Sequence, residues 1–503
     1  MSTSTLLAQA VEQIKARARH PAVERYSTLA LAFCAAASVA LYGLAFARPY
    51  SLFALYNRPL LDLYRISKVN PFARWELLWA FLGLGTLYWL GWRVAQRTNS
   101  KAAWIIVVAG FLLFSLLLLC IFPFGAADLF DNIMHGRVLG IYKANPFYAV
   151  ANQFPTDPFL PYVAWKKSPS AYGPGWELLA GLTARLAGNG IVINILAFKL
   201  LAGIFLLAST VVVAAILRAV APERALAGVV LLAWNPVILY ETFGNGHNDI
   251  AMIFWVLLAA WLLLKRAYTA ACVALVMGAL FKFIPLLMLP AAGLIALRDL
   301  PDWRARLRFV LVTGAVTLAL VGIAYFPFWQ DANALTIGRR MQMFTKSLPS
   351  VILYTWVVPQ IGLPWGSAWV STVAAWLTVL FSLGQGFVAW RNRSWLSFTQ
   401  AAFNILMFYL LVTCLWFQSW YALWPLGLAA ILPPGHAARL AALFGYAVTV
   451  TPFVFDPSLL WIKPLPPKAW RELRLGPAAL IIPWLYTLFA LWDAQRKRNN
   501  QKA

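Results

Sequence analysis

The feature that most limits this chain is its long apolar runs. Residues 103–122 contain no Asp, Glu, Lys or Arg, and the apolar stretch 191–217 is longer still. A helix crosses the hydrocarbon core of a bilayer with roughly 20 apolar residues, and only helices and closed barrels satisfy their backbone polar groups there. The composition agrees with helices in lipid. Of 503 residues, 62% are hydrophobic and 12% charged, against about 45–50% and about 25% in soluble domains. A soluble globular enzyme, a disordered chain and a coiled coil are excluded. The expected fold class is an all-α polytopic membrane protein.

The net charge is +24, from 41 basic and 17 acidic residues. In a soluble chain that balance would suggest nucleic acid. Here Lys and Arg are scattered through short connections, as the positive-inside bias requires, so no nucleic-acid partner is expected. Cys34, Cys120, Cys272 and Cys414 lie in apolar runs without CxxC spacing, which indicates neither a zinc site nor a disulfide framework. Residues 1–26 are too polar for a signal peptide. They read as a cytosolic amphipathic segment, with Leu6, Leu7, Val11 and Ile14 at helical spacing.

Hydropathy and loop charge divide residues 27–503 into about fourteen spans in a single transmembrane domain. Lys15, Arg17, Arg19 and Arg25 place the N-terminus in the cytosol. Alternation then puts the basic connections 94–103, 218–225, 298–308 and 391–397 inside, and the C-terminus with them. Residues 267–297 are divided at Lys282–Pro285, because a Lys and a Pro at membrane depth are tolerated where they face a cavity. With that break, the loop 125–190, the connection 243–249, Lys282, the loop 328–350 and the Gln418–Tyr421 junction all fall on the outer side. A loop of about sixty residues is uncommon without a function.

Three constellations on that side carry chemistry. The first begins after the third span, with Asp128, Asp131, His135 and Arg137, and ends at Asn145-Pro146-Phe147. In a helix Asp128, Asp131 and His135 share a face, and a partly desolvated carboxylate beside a His or Arg can act as a general base. The second is Trp234-Asn235-Pro236, then Glu241, Asn245-Gly246-His247-Asn248-Asp249. Its amides, imidazole and carboxylates suit a sugar rim or a phosphate better than a metal, since two ligands at i, i+2 are a weak metal signal. The third is a set of cations: Lys282, Arg339, Arg340 and Lys346, able to hold a phosphate or diphosphate. Tyr172-Gly173-Pro174 and Gln418-Ser419-Trp420-Tyr421 add candidate pocket walls, the aromatic rings being suited to stacking on the apolar face of a sugar.

The order of these motifs, from about residue 104 to 430, resembles that of membrane-embedded glycosyltransferases of the C-type fold (GT-C), and within them the bacterial polyprenyl-phosphomannose-dependent mannosyltransferases. Asp128 to Pro146 is similar to that family's first outer loop. Tyr172-Gly173-Pro174 looks like its Tyr-Pro-Pro, with Gly in place of the middle Pro. Trp234-Asn235-Pro236, Glu241, the Asn245–Asp249 run, Phe281-Lys282 and Gln418–Tyr421 look like its later motifs.

The resemblance implies a GT-C-like bundle whose first outer loop, 125–190, is catalytic. It implies an inverting hexosyl transfer, most simply of mannose, from a polyprenyl-phosphate donor to a glycolipid or polysaccharide acceptor. The reaction would take place on the extracytoplasmic face of the plasma membrane, with no cofactor and no metal. Asp128 stands where the family keeps its catalytic base, with Asp131 as a second catalytic candidate. His247, Lys282, Arg339 and Arg340 would bind the donor phosphate. His135, Arg137, Asn145, Tyr172, Glu241, Asn245, Asn248, Asp249, Gln418, Trp420 and Tyr421 would bind substrate. A transporter or flippase of lipid-linked sugars, or another lipid-linked transferase, is the competing reading. A transporter would have its site near the midplane, whereas these polar residues gather on one face.

Overall fold

The computed structural model describes residues 21–330, 343–455 and 468–500. The first twenty residues, and with them most of the amphipathic segment, lie outside the described residues, as do Arg339 and Arg340. Among the described residues the chain is helical, with no strands and only isolated bridges at Ser51–Ile121 and Thr345–Trp416.

The helices that build the bundle are α1 (Pro21–Tyr42), α2 (Ala73–Ala95), α3 (Lys101–Leu119), α4 (Asp128–Gly140), α5 (Pro174–Ala187), α6 (Ile191–Val220), α7 (Ala225–Ala233) and α8 (Asp249–Leu264). They continue with α9 (Tyr268–Ala279), α10 (Leu289–Asp299), α11 (Trp303–Tyr325), α12 (Leu363–Asn392), α13 (Trp395–Phe408), α14 (Leu423–Ala429), α15 (His436–Phe455) and α16 (Lys468–Asn500). Short polar residues start several of them by accepting a backbone N–H: Ser100 from Ala103 at 3.2 Å, Asp302 from Ala305 at 2.8 Å, Ser394 from Ser397 at 3.0 Å.

Each apolar segment expected from hydropathy coincides with helix, yet they are not equal crossings. Among the described residues, six helices are long and apolar enough to span a bilayer, or seven if the pair Pro222–Ala233 and Pro236–Gly244, bent by 49°, counts as one span. Others, such as α8 with 16 residues and α9 with 12, are apolar but short of the length a full crossing needs. Hydropathy alone could not separate them, because a short helix buried inside a bundle is as apolar as one in lipid. All nine residues of α7 are buried, whereas α11 and α12 expose long apolar faces.

Two local breaks aim side chains at one end of the bundle. At Trp234-Asn235-Pro236, the Asn235 carboxamide oxygen accepts the backbone N–H groups of Val237 and Ile238, and Pro236 takes the first helical position, where no N–H is needed. A π turn over Tyr240–Gly244 follows, the kind of irregularity often found at functional sites. At the second break, α9 stops at Ala279, and a 3-10 turn over Ile284–Met288 leads into α10. The separation expected at Lys282–Pro285 is therefore present.

The outer loop is held to this end by backbone-to-backbone contact. The N–H groups of Gly173 and Gly175 donate to the carbonyl oxygens of Phe281 and Leu280 at 3.1 and 2.9 Å. A Cβ on Gly173 would overlap the Leu280 carbonyl oxygen. Small residues bring α4 and α5 equally close: a Cβ on Gly136 or Gly140 would meet the carbonyl oxygen of Ala180 or Gly181. The Asn145 amide donates to the Phe328 carbonyl oxygen at 2.7 Å, tying the loop to the end of α11.

At the other end, Asn99 donates to the Pro222 carbonyl oxygen, Arg224 to that of Leu432 and Arg298 to that of Trp390. The donors Asn99, Arg224 and Arg298 belong to the basic connections expected inside. Replacing Gly173 by Val should cost about 1–3 kcal/mol, as overpacking against a backbone does. Thermal unfolding in detergent should show a lowered midpoint. Gly293→Ala should show no such loss, because a Cβ there meets nothing within 4 Å.

Candidate functional site

The site is assembled at the end where the outer loop meets the two breaks. Asp249 opens α8 and is buried. Its Oδ1 accepts the Lys282 ammonium at 2.6 Å and the Trp424 indole N–H at 2.7 Å. Lys282 also lies over the rings of Tyr421 and Trp424, 4.5 and 5.1 Å from their centroids. Desolvation makes such cation–π contacts stronger than at an exposed surface. Tyr421 and Trp424 stack at 4.4 Å. Residues of α8, the second break and the start of α14 thus converge on one cation.

A second pair stands beside it. His247 Nδ1 is 3.0 Å from Glu241 Oε2, and both residues are buried. The other contacts of Glu241 come from Asn245, whose amide donates to Oε2 at 2.8 Å, and from the Ser419 hydroxyl near Oε1 at 3.4 Å. The Asn245 carboxamide oxygen accepts the Gly125 N–H at 3.1 Å, which fixes the chain entering α4. The His247 ring stacks on Trp420 at 4.0 Å. Burial works against protonation of His247, but Glu241, Asp128 and Asp249 together lift its pKa above the ordinary imidazole value.

Asp128, at the first position of α4, is partly buried and lies within electrostatic reach of His247, Lys282, Asp249 and Glu241. Burial raises its pKa; His247 and Lys282 oppose the rise. Asp131 is one turn on and buried. Its Oδ1 accepts the Trp165 N–H at 2.9 Å, and its Oδ2 has no hydrogen-bond partner. Burial pushes the Asp131 carboxyl up to about 7. Asn132 accepts the Trp176 indole N–H at 2.8 Å, and Tyr172 is close to Asn132, Asp128 and Asp249. Asn248 immediately precedes α8, and Gln418 precedes the turn that carries Trp420 and Tyr421; both are buried at this end.

Two residues of the expected set, Arg137 and Asn145, are committed elsewhere. Arg137 is buried, its Nε bonded to Asp157 at 2.8 Å, Nη1 to the Gly188 carbonyl oxygen at 2.7 Å and Nη2 to Asn189 at 2.9 Å. It clamps the outer loop rather than facing a ligand. Asn145 spends its amide on Phe328 and its oxygen on the Phe147 N–H. His135 is buried one turn past Asp131, and burial lowers its pKa to about 4, so it is neutral at physiological pH. The aromatic rings expected as sugar platforms are partly used by protein: Trp420 carries His247 on one face, and Tyr421 carries Trp424.

Residues not singled out from sequence also shape the site. Lys199, fully buried in α6, donates to the Ile121 carbonyl oxygen at 2.5 Å and more weakly to those of Leu118 and Leu119, capping the end of α3 just before the outer loop. A charge inside a 30-residue apolar helix was a readable signal. Glu177 is buried in α5 and accepts the Ser170 hydroxyl at 2.6 Å; burial raises its carboxyl to about 8. Nothing in its apolar sequence neighbourhood announced that. Among the described residues, no group of three or more His, Cys, Asp or Glu side chains is placed to hold a metal ion.

The Lys282–Asp249 pair should behave as a coupled unit. Lys282→Met alone should destabilise by about 3 kcal/mol, because it strands a buried carboxylate, and adding Asp249→Asn should recover much of the loss. Chemical unfolding of the four proteins of the cycle measures this. Glu177 has a folded-state pKa above its unfolded value, so it favours the fold at low pH and loses that contribution as pH rises from about 4.5 towards 8. Glu177→Gln should therefore gain unfolding temperature over the native protein at pH 8, with the gain shrinking towards pH 5.

Comparison with family models matches residues 29–298 to the N-terminal domain of alpha-(1->6)-mannopyranosyltransferases, the MptA/B family. That stretch includes Asp128, Asp131, Glu241, His247, Asp249 and Lys282, and stops short of Gln418, Trp420 and Tyr421. No curated protein and no solved structure matches this chain.

Proposed function

From the premise that this chain belongs to the alpha-(1->6)-mannopyranosyltransferase family, and is thus a membrane mannosyltransferase, we propose that it transfers mannose from a polyprenyl-phosphate donor to a glycolipid or polysaccharide acceptor. The reaction takes place on the extracytoplasmic face of the plasma membrane, with both termini in the cytosol. The observation that supports this reading most is the gathering of Asp128, the His247–Glu241 pair and the Lys282–Asp249 pair from separate helices at one end of the bundle.

The chemistry follows from those groups. Displacement at the anomeric carbon needs a base for the acceptor hydroxyl and stabilisation of the departing phosphate. Asp128 is the base: its carboxylate takes the hydroxyl proton as the acceptor oxygen attacks. A pKa raised by burial brings a carboxylate nearer the operating pH, where general-base catalysis is most effective. The bond from the anomeric carbon to the phosphate oxygen breaks, and its electrons leave with the phosphate. His247, protonated through Glu241, and Lys282 face that charge. An ammonium has three donors, and Asp249 takes one from Lys282. A single inverting displacement that yields the alpha product named by the family requires a beta-linked donor. Asp131, held by the Trp165 N–H, orients the loop beside Asp128. Arg339 and Arg340 remain proposed donor contacts. Tyr172, Asn245, Asn248, Gln418, Trp420 and Tyr421 form the walls around the substrates.

A polyprenyl donor also accounts for the apolar surroundings of the site, since its tail must stay in lipid while its phosphosugar reaches a polar pocket. A site at one end of the bundle disfavours the transporter reading, which calls for binding near the midplane.

Asp128→Asn should lower transfer of labelled mannose from polyprenyl phosphomannose by about 10²–10⁴-fold, the range typical of a lost general base, with unfolding temperature near that of the native protein. Membranes carrying either protein, supplied with donor and an oligomannoside acceptor, provide the measurement. Unchanged transfer would remove Asp128 from its role.

A further inference from the structure

At the end of the bundle opposite the candidate site, α8, α9 and α11 enclose a groove of about 1090 Å³. Helix α8 runs from Asp249, in the site, through 16 residues, which places its far end roughly 24 Å away along the axis. The groove walls are apolar, with Leu258, Leu262, Val273, Val312 and Val316 among them, and Arg266, Arg304 and Arg308 stand at its mouth. The hydroxyls of Thr269, which lines the groove, and Thr313 lie 3.0 Å apart and join α9 to α11.

The mouth is electrostatically unbalanced. Among the described residues, none of the three arginines makes an ion pair with a carboxylate within 4.0 Å. Asp302, which caps α11 by accepting the Ala305 N–H and keeps its charge, lines the same groove, so three guanidinium groups stand there against one lining carboxylate. Asp299, nearby in sequence, accepts the Tyr268 hydroxyl at 2.8 Å. Arg266 adds an independent sign. It occupies a left-handed backbone position, φ 57°, just past the end of α8, where glycine is the least strained residue. The chain keeps a guanidinium at a position that favours having no side chain.

We propose that this groove binds an anionic glycerophospholipid from the adjoining leaflet. Its phosphate engages Arg266, Arg304 and Arg308, and one acyl chain lies on the apolar wall between α8 and α11. Both parts of the groove are needed for that assignment. A free phosphate would use the arginines and leave the apolar wall unoccupied, while a neutral lipid would use the wall and leave the guanidinium groups without an anion. Arginine forks suit phosphate oxygens, and basic pockets between spans are a known way of retaining anionic head groups. The proposal is independent of the mannosyl-transfer reading.

The test uses the full chain, delipidated in mild detergent and read by native mass spectrometry. Phosphatidylglycerol and phosphatidylcholine with identical acyl chains are added in turn, and inorganic phosphate is added as a competitor. The native protein should retain phosphatidylglycerol at least tenfold better than phosphatidylcholine, and tenfold excess inorganic phosphate should not displace it. Arg266→Gln, Arg304→Gln and Arg308→Gln together should lower retention at least tenfold. Ala270→Trp, which fills the apolar wall and keeps all three arginines, should lower it as well. Should the triple variant not elute as a folded monodisperse protein, the three single substitutions replace it, each expected to lower retention at least twofold. Equal retention of the two lipids, undiminished retention in the arginine variants, or displacement by phosphate with no effect of Ala270→Trp would each overturn the proposal.

Discussion

The Lys282–Asp249 contact is the interaction on which the rest of this end of the molecule depends. An ammonium and a carboxylate removed from water are costly apart and tolerable together only with good geometry and further hydrogen bonds. Here the carboxylate also takes the Trp424 N–H, and the ammonium rests on two aromatic rings. Satisfying one charge therefore fixes three elements: the start of α8, the break after α9 and the start of α14. The helices cannot slide past one another without stranding a charge in a low-dielectric interior. The His247–Glu241 pair repeats the arrangement just upstream of Asp249, with Trp420 supplying the ring.

The outer loop is positioned against this frame by a different kind of constraint. Its contacts with Leu280 and Phe281 are made through glycine backbone, so the loop approaches more closely than any side chain would permit. Arg137, bonded to Asp157, Gly188 and Asn189, ties the loop's beginning to its end. Asn145 adds α11. The consequence is that Asp128 lies within electrostatic reach of His247 and Lys282 although it is far from them in sequence. A catalytic group carried on a long loop gains the positional accuracy of a helix bundle when the loop is stapled at several points.

Much of this was readable from the residues. The apolar periods located the helices, the scarcity of acids pointed to Asp128, Glu241 and Asp249, and the Lys and Pro at 282–285 marked a break that is present. Other features were not, for physical reasons. An apolar segment of 12 or 16 residues has the same composition whether lipid or protein surrounds it, so hydropathy gave the short helices α8 and α9 the same weight as the long ones. Arg137 and Asn145 belong to the same polar run as Asp128, and a run of polar residues does not say which members face a cavity and which bind their own backbone. Only the positions of Asp157, Gly188 and Phe328 decide that, and all three are distant in sequence. Glu177 escaped notice because burial gives it its importance, and burial is a property of the fold; Lys199, a charge inside a long apolar run, was legible in the sequence.

The two acids at the start of α4 show how environment divides their roles. Asp131 has one oxygen fixed by a backbone N–H and the other without a hydrogen-bond partner among the described residues, and it is more deeply buried than Asp128. Asp128 is less buried and faces His247 and Lys282. The cations that would steady a leaving phosphate also favour the ionised form of Asp128, the form a base requires. When an anionic donor occupies the site, it offsets part of that positive charge. In the proposed reaction the carboxylate would then become more basic as the donor arrives, and a base at Asp128 would be strongest once a reacting partner is in place. Base and leaving-group binders are thus electrostatically linked, and that linkage requires them at the same end of the bundle, where the stapled loop holds them.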